Sequence, residues 1–200
     1  CHQKGQTVRV FCGTFVHATE HEPLVVLQEY CLGVVAGKIL FLEDIKSLEV
    51  RLKEFHIPVD NVTNLKKWQF ILPGFVDTHI HASQYPNAGK GLDLQLLDWL
   101  NEYTFPTEAR FEDLHFAKNS YKTAVDRLIQ NGTTTACYFA TIHTDATLLL
   151  CDIIHETGQR ALVGKVNMNM NSPNFYREDT EQSVTETERY IESVMKKRYP

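Results

Sequence analysis

The sequence lacks the long apolar segment that a membrane-spanning helix requires. Its longest largely apolar stretch, residues 30–42, is interrupted by Lys38 and by two glycines. That stretch falls well short of the roughly 20 residues needed to cross a bilayer. No apolar run follows Lys4, so the pattern of a secretory signal is also missing. We therefore expect neither membrane insertion nor secretion.

The chain also lacks an excess of basic residues. Its 20 lysines and arginines are outnumbered by 25 aspartates and glutamates, which leaves a formal net charge of −5. Proteins that bind the phosphate backbone of nucleic acids need a basic surface, so nucleic acid is not an expected partner. A hydrophobic share of 43% with 22% charged residues is typical of a globular chain with one large core or two smaller ones.

Cysteine is sparse and shows no pattern of pairing. The five cysteines are an odd number without a CxxC motif, which indicates scattered reduced thiols and a cytoplasmic protein. Cys137 lies in a predicted strand and is expected to be a small core residue. Because the sequence opens on Cys1 rather than on methionine, we expect it to be part of a longer chain.

Short β runs dominate the first 72 residues. Strands are predicted at residues 8–16, 24–27, 32–35, 38–42, 59–62 and 68–72. An Ala36-Gly37 turn separates the third strand from the fourth. Apolar residues at 45, 48, 52 and 55 recur at three- and four-residue steps, which predicts one short amphipathic helix. We interpret this region as antiparallel β structure.

After Pro73-Gly74 the predicted elements alternate in type. Strands at residues 75–81, 133–139 and 160–168 alternate with helices at residues 112–130, 145–156 and 180–197. Asn131-Gly132 and Gly158 mark points where helices end. The alternation of strand and helix predicts an α/β fold with a parallel sheet.

Residues 93–111 form a long connection between the first of these strands and its helix. They carry Trp99, Tyr103, Phe105 and Phe111. A connection of this length in a strand–helix unit is usually functional. The same pattern is compatible with an ordinary helical insertion around residues 94–100 whose aromatic side chains fill a local core.

The clearest chemical pattern lies at the end of the first strand of this α/β region. The two-residue period of a strand places four side chains on one face: Phe75, Asp77, His79 and His81. Two imidazoles at positions i and i+2 lie close enough to bind one metal ion, and neutral imidazole is a good ligand for zinc or ferrous iron. A His-x-His pair by itself is also compatible with two polar residues on a half-exposed strand.

The surroundings of the pair favour the metal site. An apolar strand buried on both sides would carry Asp77 and both histidines at its carboxyl end, where unpaired polar groups are costly to bury. Active sites of strand–helix barrels lie at the same end of the strands. We therefore predict that His79 and His81 bind a metal and that Asp77 helps to orient a ligand.

Three separated motifs resemble a known enzyme family. The run PGFVDTHIH at residues 73–81 resembles the start of the barrel in the metal-dependent amidohydrolase superfamily, whose first barrel strand ends in His-x-His. The runs DTHIHASQY (77–85), YTFPTEARF (103–111) and NGTTTACYFATIHTD (131–145) are similar, more specifically, to the guanine deaminase family of animals. The resemblance covers nearly the whole chain.

This resemblance implies a zinc-dependent hydrolase that converts guanine to xanthine and ammonia. It implies one zinc ion per subunit, with His79 and His81 among the ligands, and a purine pocket lined by His81, Ala82, Ser83 and Gln84. In such an enzyme a bound zinc ion would lower the pKa of water for attack on the ring carbon that bears the amino group, and a carboxylate would relay the proton to the departing ammonia. The Gln84 amide can offer both a donor and an acceptor to the ring. Alternatively, Gln84 is a solvated loop residue.

The resemblance also implies a fold of which this sequence holds only a part. A complete (β/α)8 barrel has eight strand–helix units in about 250 residues, whereas residues 73–200 hold three. We expect an incomplete (β/α)8 TIM-like barrel over residues 73–200, preceded by part of a small β-sandwich domain over residues 1–72. The other zinc ligands, a His and an Asp, and the proton-shuttling Glu would lie on later strands. No catalytic residue is therefore assigned within this chain, which is expected to be inactive alone.

Several alternatives stay open. The His-x-His pair identifies only the superfamily, so the substrate could instead be a pyrimidine, a triazine or a cyclic amide. A non-catalytic scaffold is another possibility, although such relatives have typically lost the metal histidines. Zinc and iron both accept this ligand set.

The resemblance also implies that the complete protein is a cytoplasmic homodimer that acts in purine catabolism.

The remaining histidines and an acidic run receive no catalytic role. His143 follows the second strand of the α/β region and is interpreted as adjacent to the pocket or near a helix cap. We interpret the others as surface or interface residues: His2, His17, His21, His56, His115 and His155. The acidic, threonine-rich run at residues 178–188 is interpreted as the solvated start of a helix.

Overall fold

The computed structural model describes residues 7–197 and Tyr199. The chain packs as two compact units, Cys1–Pro73 and Gly74–Pro200, each with its own apolar core. The described cysteines are unpaired, as expected: Cys12, Cys31, Cys137 and Cys151. Cys1 and His2 lie outside the described residues.

The first unit is a five-stranded sheet with one short helix. Its elements are β1 (Arg9–His17), β2 (Val25–Val35), β3 (Lys38–Asp44), a 3₁₀ turn (Ile45–Ser47), α1 (Leu48–Glu54), a second 3₁₀ turn (Val59–Asn61), β4 (Val62–Asn64) and β5 (Phe70–Ile71). The strand order is β3-β2-β1-β4, and β5 also pairs with β1. β4 and β5 run parallel to β1, so the sheet is mixed rather than wholly antiparallel. The reason is that the chain crosses through α1 before it rejoins the sheet.

The turn between β2 and β3 has the predicted residues. Ala36 and Gly37 form a two-residue loop, and Val35 pairs with Lys38 across it. Both loop residues have positive φ angles, 50° and 71°. This is the type I′ geometry, which matches the right-handed twist of the flanking strands.

Other details of the first unit differ from the sequence prediction. The runs predicted at residues 24–27 and 32–35 fall in one strand, β2, which begins at Val25. Between them the pairing with β1 is interrupted by a β-bulge, in which Glu29 has a φ of 57°. The strand predicted at residues 59–62 is wrong for residues 59–61, which form a 3₁₀ turn, and β4 begins only at Val62. Val59 and Val62 are three residues apart, which is the spacing of a helical turn. The strand predicted at residues 68–72 is reduced to Phe70–Ile71.

The core of the first unit lies between the sheet and α1. Val10, Cys12, Cys31 and Phe41 are buried there, and Leu48 and Leu52 of α1 pack against the same cluster, as does Ile57. Residues 7–73 form a single sheet with one helix packed against it. The β-sandwich therefore stays a prediction.

The second unit alternates strands and helices. Its elements are β6 (Phe75–Ile80), a 3₁₀ turn (Ala82–Asn87), α2 (Leu96–Trp99), a π-helical turn (Leu100–Thr104), α3 (Phe105–Ala109), a 3₁₀ turn (Arg110–Glu112), α4 (Leu114–Gln130), β7 (Thr133–Phe139), α5 (Thr144–Thr157), β8 (Arg160–Gly164), a 3₁₀ turn (Asn174–Tyr176) and α6 (Thr180–Lys197). The sheet has the order β6-β7-β8, and both pairings are parallel. The predicted parallel sheet is confirmed, although β8 ends four residues earlier than expected.

Local side-chain chemistry explains where the long helices begin and end. The Asp113 carboxylate accepts the His115 backbone N–H at 2.8 Å and so caps the start of α4. Gly158 ends α5 with a φ of 79°, a left-handed conformation that glycine adopts without steric cost. None of the helices in the described part of the chain is long and apolar enough to span a membrane.

The core of the second unit lies between the sheet and helices α4 and α5. Tyr138 of β7, Tyr121 and Val125 of α4, and Leu150 of α5 are all almost completely buried there. Ala136 and Tyr138 point into this core, so Cys137, between them on β7, points to the opposite face. Cys137 is therefore only half-buried, and its prediction as a core residue is wrong.

Strand β6 is not buried on both sides, contrary to the expectation from its apolar sequence. Phe75 is 59% exposed and Val76 is 63% exposed. Within the described residues β6 pairs only with β7 and is an edge strand. Since an edge strand has no neighbour on one side, its apolar residues keep their contact with solvent.

Candidate metal and substrate site

His79 and His81 lie side by side at the carboxyl end of β6. Their Nε2 atoms are 3.2 Å apart. Both rings stack on Phe139 at the end of β7, with centroid distances of 4.3 Å for His79 and 5.2 Å for His81. The imidazoles thus share one face of the strand, as the two-residue period predicts, and an aromatic ring from the neighbouring strand supports them.

Asp77 acts on the backbone of this pair. Its Oδ1 accepts the backbone N–H of His79 at 3.1 Å. Among the described residues, no hydrogen bond joins Asp77 to either imidazole. The expected orienting role would therefore be exerted through the main chain at His79.

The electrostatics of the pair suit a metal ligand. Burial, and secondarily the neighbouring His79, lower the pKa of the His81 imidazole. The neutral form of the ring is thereby favoured, and this is the form that binds metal ions. Two nitrogens 3.2 Å apart are close to the spacing of neighbouring ligands on a tetrahedral ion with Zn–N distances of about 2.0–2.1 Å.

The pair supplies only part of a metal site. Residues 7–197 and Tyr199 contain no cluster of three or more His, Cys, Asp or Glu that could hold a metal ion. A tetrahedral zinc site with three or four protein ligands would need further ligands from outside the described residues. His79 and His81 fit two of its positions.

A cavity of about 470 Å³ lies beside the imidazoles. Its wall includes His79, His81 and Ala82, together with Gln84 and Trp99. Three of the four predicted purine-binding residues therefore line this space.

The fourth predicted residue, Ser83, does not line the cavity. It is fully buried, and its hydroxyl donates to Glu108 Oε1 at 2.9 Å. Residues 82–87 form a 3₁₀ turn, in which successive side chains point in directions about 120° apart. Ser83 consequently points into the protein while its neighbours face the cavity.

Glu108 is a buried carboxylate that the sequence reasoning missed. It is 4% exposed. Gln84 Nε2 donates to its Oε1 at 3.3 Å, and the Tyr176 hydroxyl donates to its Oε2 at 2.8 Å. Burial raises the pKa of Glu108, and hydrogen bonds from Tyr176, Ser83 and Gln84 oppose that shift. A sequence signal existed, because positions 105, 108 and 111 recur every three residues and the outer two are buried phenylalanines.

The amide of Asn87 is also buried in the cavity wall. Asn87 is 2% exposed, and neither its Nδ2 nor its Oδ1 has a hydrogen-bond partner among the described residues. Buried amides are usually hydrogen-bonded to protein, water or a ligand. Asn87 was not identified from the sequence, where it reads as an ordinary turn residue.

The connection at residues 93–111 matches both interpretations that its sequence left open. It is helical through α2, the π-helical turn and α3, and Phe105 and Phe111 are buried in the core. It also places Trp99 in the cavity wall and Glu108 against Gln84. A helical insertion thus contributes directly to the site.

The acidic run at residues 178–188 contains one residue that is not solvated. Glu178 Oε1 and Lys165 Nζ form an ion pair of 2.7 Å, with side chains only 5% and 1% exposed. Glu178 Oε2 also accepts the Ser183 hydroxyl at 3.2 Å. Glu178 is therefore wrongly assigned to a solvated face, because its partner lies in the segment that follows β8 and is not visible in the local pattern. The helix start itself is confirmed, since α6 begins at Thr180.

The other described histidines do not join the cavity. His143 immediately precedes α5, and its Nδ1 lies 3.1 Å from the Thr141 hydroxyl. Its side chain does not cap the helix. The remaining described histidines are exposed or half-buried: His17, His21, His56, His115 and His155.

Comparison with known proteins shows the family. The Amidohydrolase family model matches residues 70–199, and this chain belongs to the amidohydrolase family. Guanine deaminase of Homo sapiens is 51% identical over 192 residues, which cover 95% of this chain and 42% of that protein. Guanine deaminase of Dictyostelium discoideum is 42% identical over 204 residues, covering 96% and 45%.

A solved structure supports the same likeness. Guanine deaminase from C. acetobutylicum, with bound guanine in its active site, superposes with a TM-score of 0.82 at 35% identity, over 94% of this chain and 43% of that one. The resemblance inferred from the three motifs is thereby confirmed. The chain spans less than half the length of these relatives.

Proposed function

We propose that a protein carrying this chain is a guanine deaminase that hydrolyses guanine to xanthine and ammonia. One observation carries the proposal. The convergent Nε2 atoms of His79 and His81, 3.2 Å apart, lie beside a cavity that Gln84 also lines. They do so in a chain with 51% identity to a guanine deaminase.

The chain's own residues would perform three tasks. His79 and His81 would hold one zinc ion per subunit, and Phe139 keeps their rings in place by stacking. A zinc ion bound there would supply a nucleophile by lowering the pKa of water. Gln84 would hydrogen-bond to a polar edge of the purine, which has donors and acceptors around its ring.

The proton carrier lies outside the described residues in this proposal. No catalytic residue is assigned to the chain, and the further zinc ligands and the proton-shuttling carboxylate would come from other parts of the protein. Two imidazoles alone form a weak metal site. We accordingly propose that the 200-residue chain is inactive by itself.

The same proposal covers the fold, oligomeric state and cellular location of the complete protein. Residues 73–200 would form the first three strand–helix units of a (β/α)8 barrel, and residues 1–72 would belong to a β-sandwich domain. The complete protein would be a cytoplasmic homodimer that acts in purine catabolism. Guanine and water would be its substrates.

Substitution of a metal ligand tests the proposal. In a protein that carries this sequence at the length of its relatives, we expect His79→Ala to abolish stoichiometric zinc and to lower guanine hydrolysis by more than about 100-fold. That is the upper end of the effect of removing a group that only supports a metal ligand. Zinc content and xanthine formation are the measurements.

The matched control is His155→Ala, which removes an exposed histidine of the same unit and should leave both quantities unchanged. Full guanine hydrolysis by His79→Ala would contradict the proposal.

Hydrolysis of a pyrimidine, a triazine or a cyclic amide in place of guanine would identify a different amidohydrolase. Measurable activity of the 200-residue chain would refute its proposed inactivity.

A further inference from the structure

The orientation of the Gln84 side chain is set by a protein contact. Its Nε2 donates to Glu108 Oε1 at 3.3 Å, while the same residue lines the cavity beside His79 and His81. Among the described residues no hydrogen bond reaches the Gln84 carbonyl oxygen. The amide is thus held at its nitrogen and open at its oxygen.

Only one orientation of the amide satisfies this contact. Both carboxylate oxygens of Glu108 already act as acceptors, Oε1 for the Ser83 hydroxyl and Oε2 for the Tyr176 hydroxyl. A side-chain amide, in contrast, has one accepting and one donating end. If the Gln84 amide were rotated by 180°, its carbonyl oxygen would face Glu108 Oε1 and two acceptors would oppose each other. The carboxylate therefore fixes which end of the amide is presented to the cavity.

Glu108 is itself immobilised. Ser83 donates to the same oxygen as Gln84, and Tyr176 donates to the other one. In the sequence Glu108 stands midway between Phe105 and Phe111, and all three residues are buried. A buried carboxylate with three donors has little freedom to turn.

We propose that Glu108 is a positioning residue for substrate selection: by holding the Gln84 amide in one orientation, it selects purines that present an N–H next to the reacting carbon. This inference rests on the proposed function. Guanine places an N–H donor beside the carbon that loses its amino group, followed by a carbonyl acceptor. The held amide offers the complementary order, with its oxygen accepting the ring N–H and its remaining N–H donating to the carbonyl.

The proposal identifies the purine that should be rejected. 2,6-Diaminopurine has the same amino group on the reacting carbon, but its adjacent ring nitrogen is an acceptor and the next group is a donor. It would need the Gln84 amide in the opposite orientation. Hydrogen-bond mismatch of this kind leaves buried polar groups unpaired and gives strong discrimination.

Glu108→Gln in the full-length protein tests this role. The new amide has nearly the same size but can both donate and accept, so it no longer fixes the orientation of Gln84. We expect the ratio of kcat/KM for guanine to kcat/KM for 2,6-diaminopurine to fall about tenfold, the effect of one misplaced hydrogen bond. The KM for guanine should rise more than kcat falls, and the zinc content should not change.

Glu178→Gln is the matched control. Glu178 is a comparably buried carboxylate of the same unit, 6% exposed against 4% for Glu108, and glutamine keeps an acceptor for Lys165. This variant should lose stability without altering the substrate ratio. A parallel change of the ratio in both variants would show that Glu108 is only structural.

A double-mutant cycle shows whether Glu108 acts through Gln84. In a Gln84→Ala background, Glu108→Gln should have no additional effect on the substrate ratio. Additive effects would overturn the proposal, as would an unchanged ratio in a folded Glu108→Gln protein. If Glu108→Gln does not fold, Glu108→Asp, which withdraws the carboxylate by one methylene, should lower the ratio in the same direction.

The wild-type protein separates this inference from the proposed function. If it hydrolyses another ring amidine but not guanine, the proposed function fails. The cycle is then measured with that substrate and its analogue of reversed hydrogen-bond order, where non-additivity would still support positioning by Glu108. Inactivity of the wild-type protein on every ring tested would overturn both proposals.

Discussion

His143 shows how burial of one residue makes stability depend on pH. Burial lowers the pKa of its imidazole, and Glu112 and Glu178 oppose this shift. Between the folded and unfolded pKa values, the unfolded chain binds more protons than the folded one, so the free energy of unfolding rises with pH. We expect stability to fall as the pH drops below the ordinary histidine value of about 6.5.

His143→Gln should reduce this pH dependence. Urea unfolding at several values between about pH 5 and pH 8 measures the slope for each protein. Burial lowers the pKa of His81 as well, so a residual slope should persist in the variant. His155→Gln, at an exposed position, is measured alongside as the matched His-to-Gln control. An identical slope in wild type and His143→Gln would contradict the assignment.

Local sequence patterns identify some of the individual site residues but not others. Asp77, His79 and His81 were identified from their period and spacing, because side chains in a strand alternate regardless of what surrounds them. Glu108 was not identified, because it gains its role from Ser83, 25 positions away, and Tyr176, 68 positions away. The three-residue spacing of its phenylalanine neighbours indicates burial but does not identify the amide that it holds.

At the level of secondary-structure elements, the turn between β2 and β3 can be stabilised by a substitution. Ala36 has a φ of 50°, where an L-residue with a Cβ pays roughly 1–2 kcal/mol. Asparagine tolerates this region, and Asn-Gly is a favoured type I′ pair. Ala36→Asn should therefore stabilise the first unit by about 0.5–1 kcal/mol. Hydrogen exchange of the amides in β2 and β3 measures the gain.

Ala36→Val provides the opposite control for this turn. A β-branched side chain is strained at positive φ, so the same amides should exchange faster. Slower exchange in Ala36→Val than in Ala36→Asn would show that the turn is not of type I′ in solution.

Elements were predicted best where the apolar pattern was long. α4, β7 and α6 have nearly the predicted bounds, because a helix or strand of this length repeats its period several times. The segment at residues 59–62 was too short to distinguish the two-residue period of a strand from the three-residue period of a 3₁₀ turn. The two short strands at 24–27 and 32–35 were separated in the prediction by a bulge, which the pairing with β1 bridges.

At the scale of the whole molecule, the two cores predict two separate responses to destabilisation. Leu150 is completely buried in the core of the second unit, and Leu150→Ala should cost about 3–4 kcal/mol through lost contacts and a cavity. Because the first unit has its own core, the protection of β1 and β2 should not change.

Native-state hydrogen exchange with peptide-level mass spectrometry distinguishes the two units. Val10→Ala is the reciprocal variant, since Val10 is fully buried in the first core. It should lower protection in β1 and β2 and leave α4 and α5 unchanged. Equal loss of protection in both units, from either variant, would mean that the chain unfolds as one cooperative body.

The alternation of strands and helices, the His-x-His pair and the family that the three motifs indicate could all be predicted from the order of the amino acids. These are properties of neighbouring residues, and periodicity and spacing express them without knowledge of the fold. Three features became visible only in the folded chain: Ser83 points away from the cavity, Glu178 pairs with Lys165 in the interior, and Glu108 contacts Gln84. Each of these depends on the burial of a polar group beside a partner distant in the chain, and a buried polar group is stable only where such a partner is present.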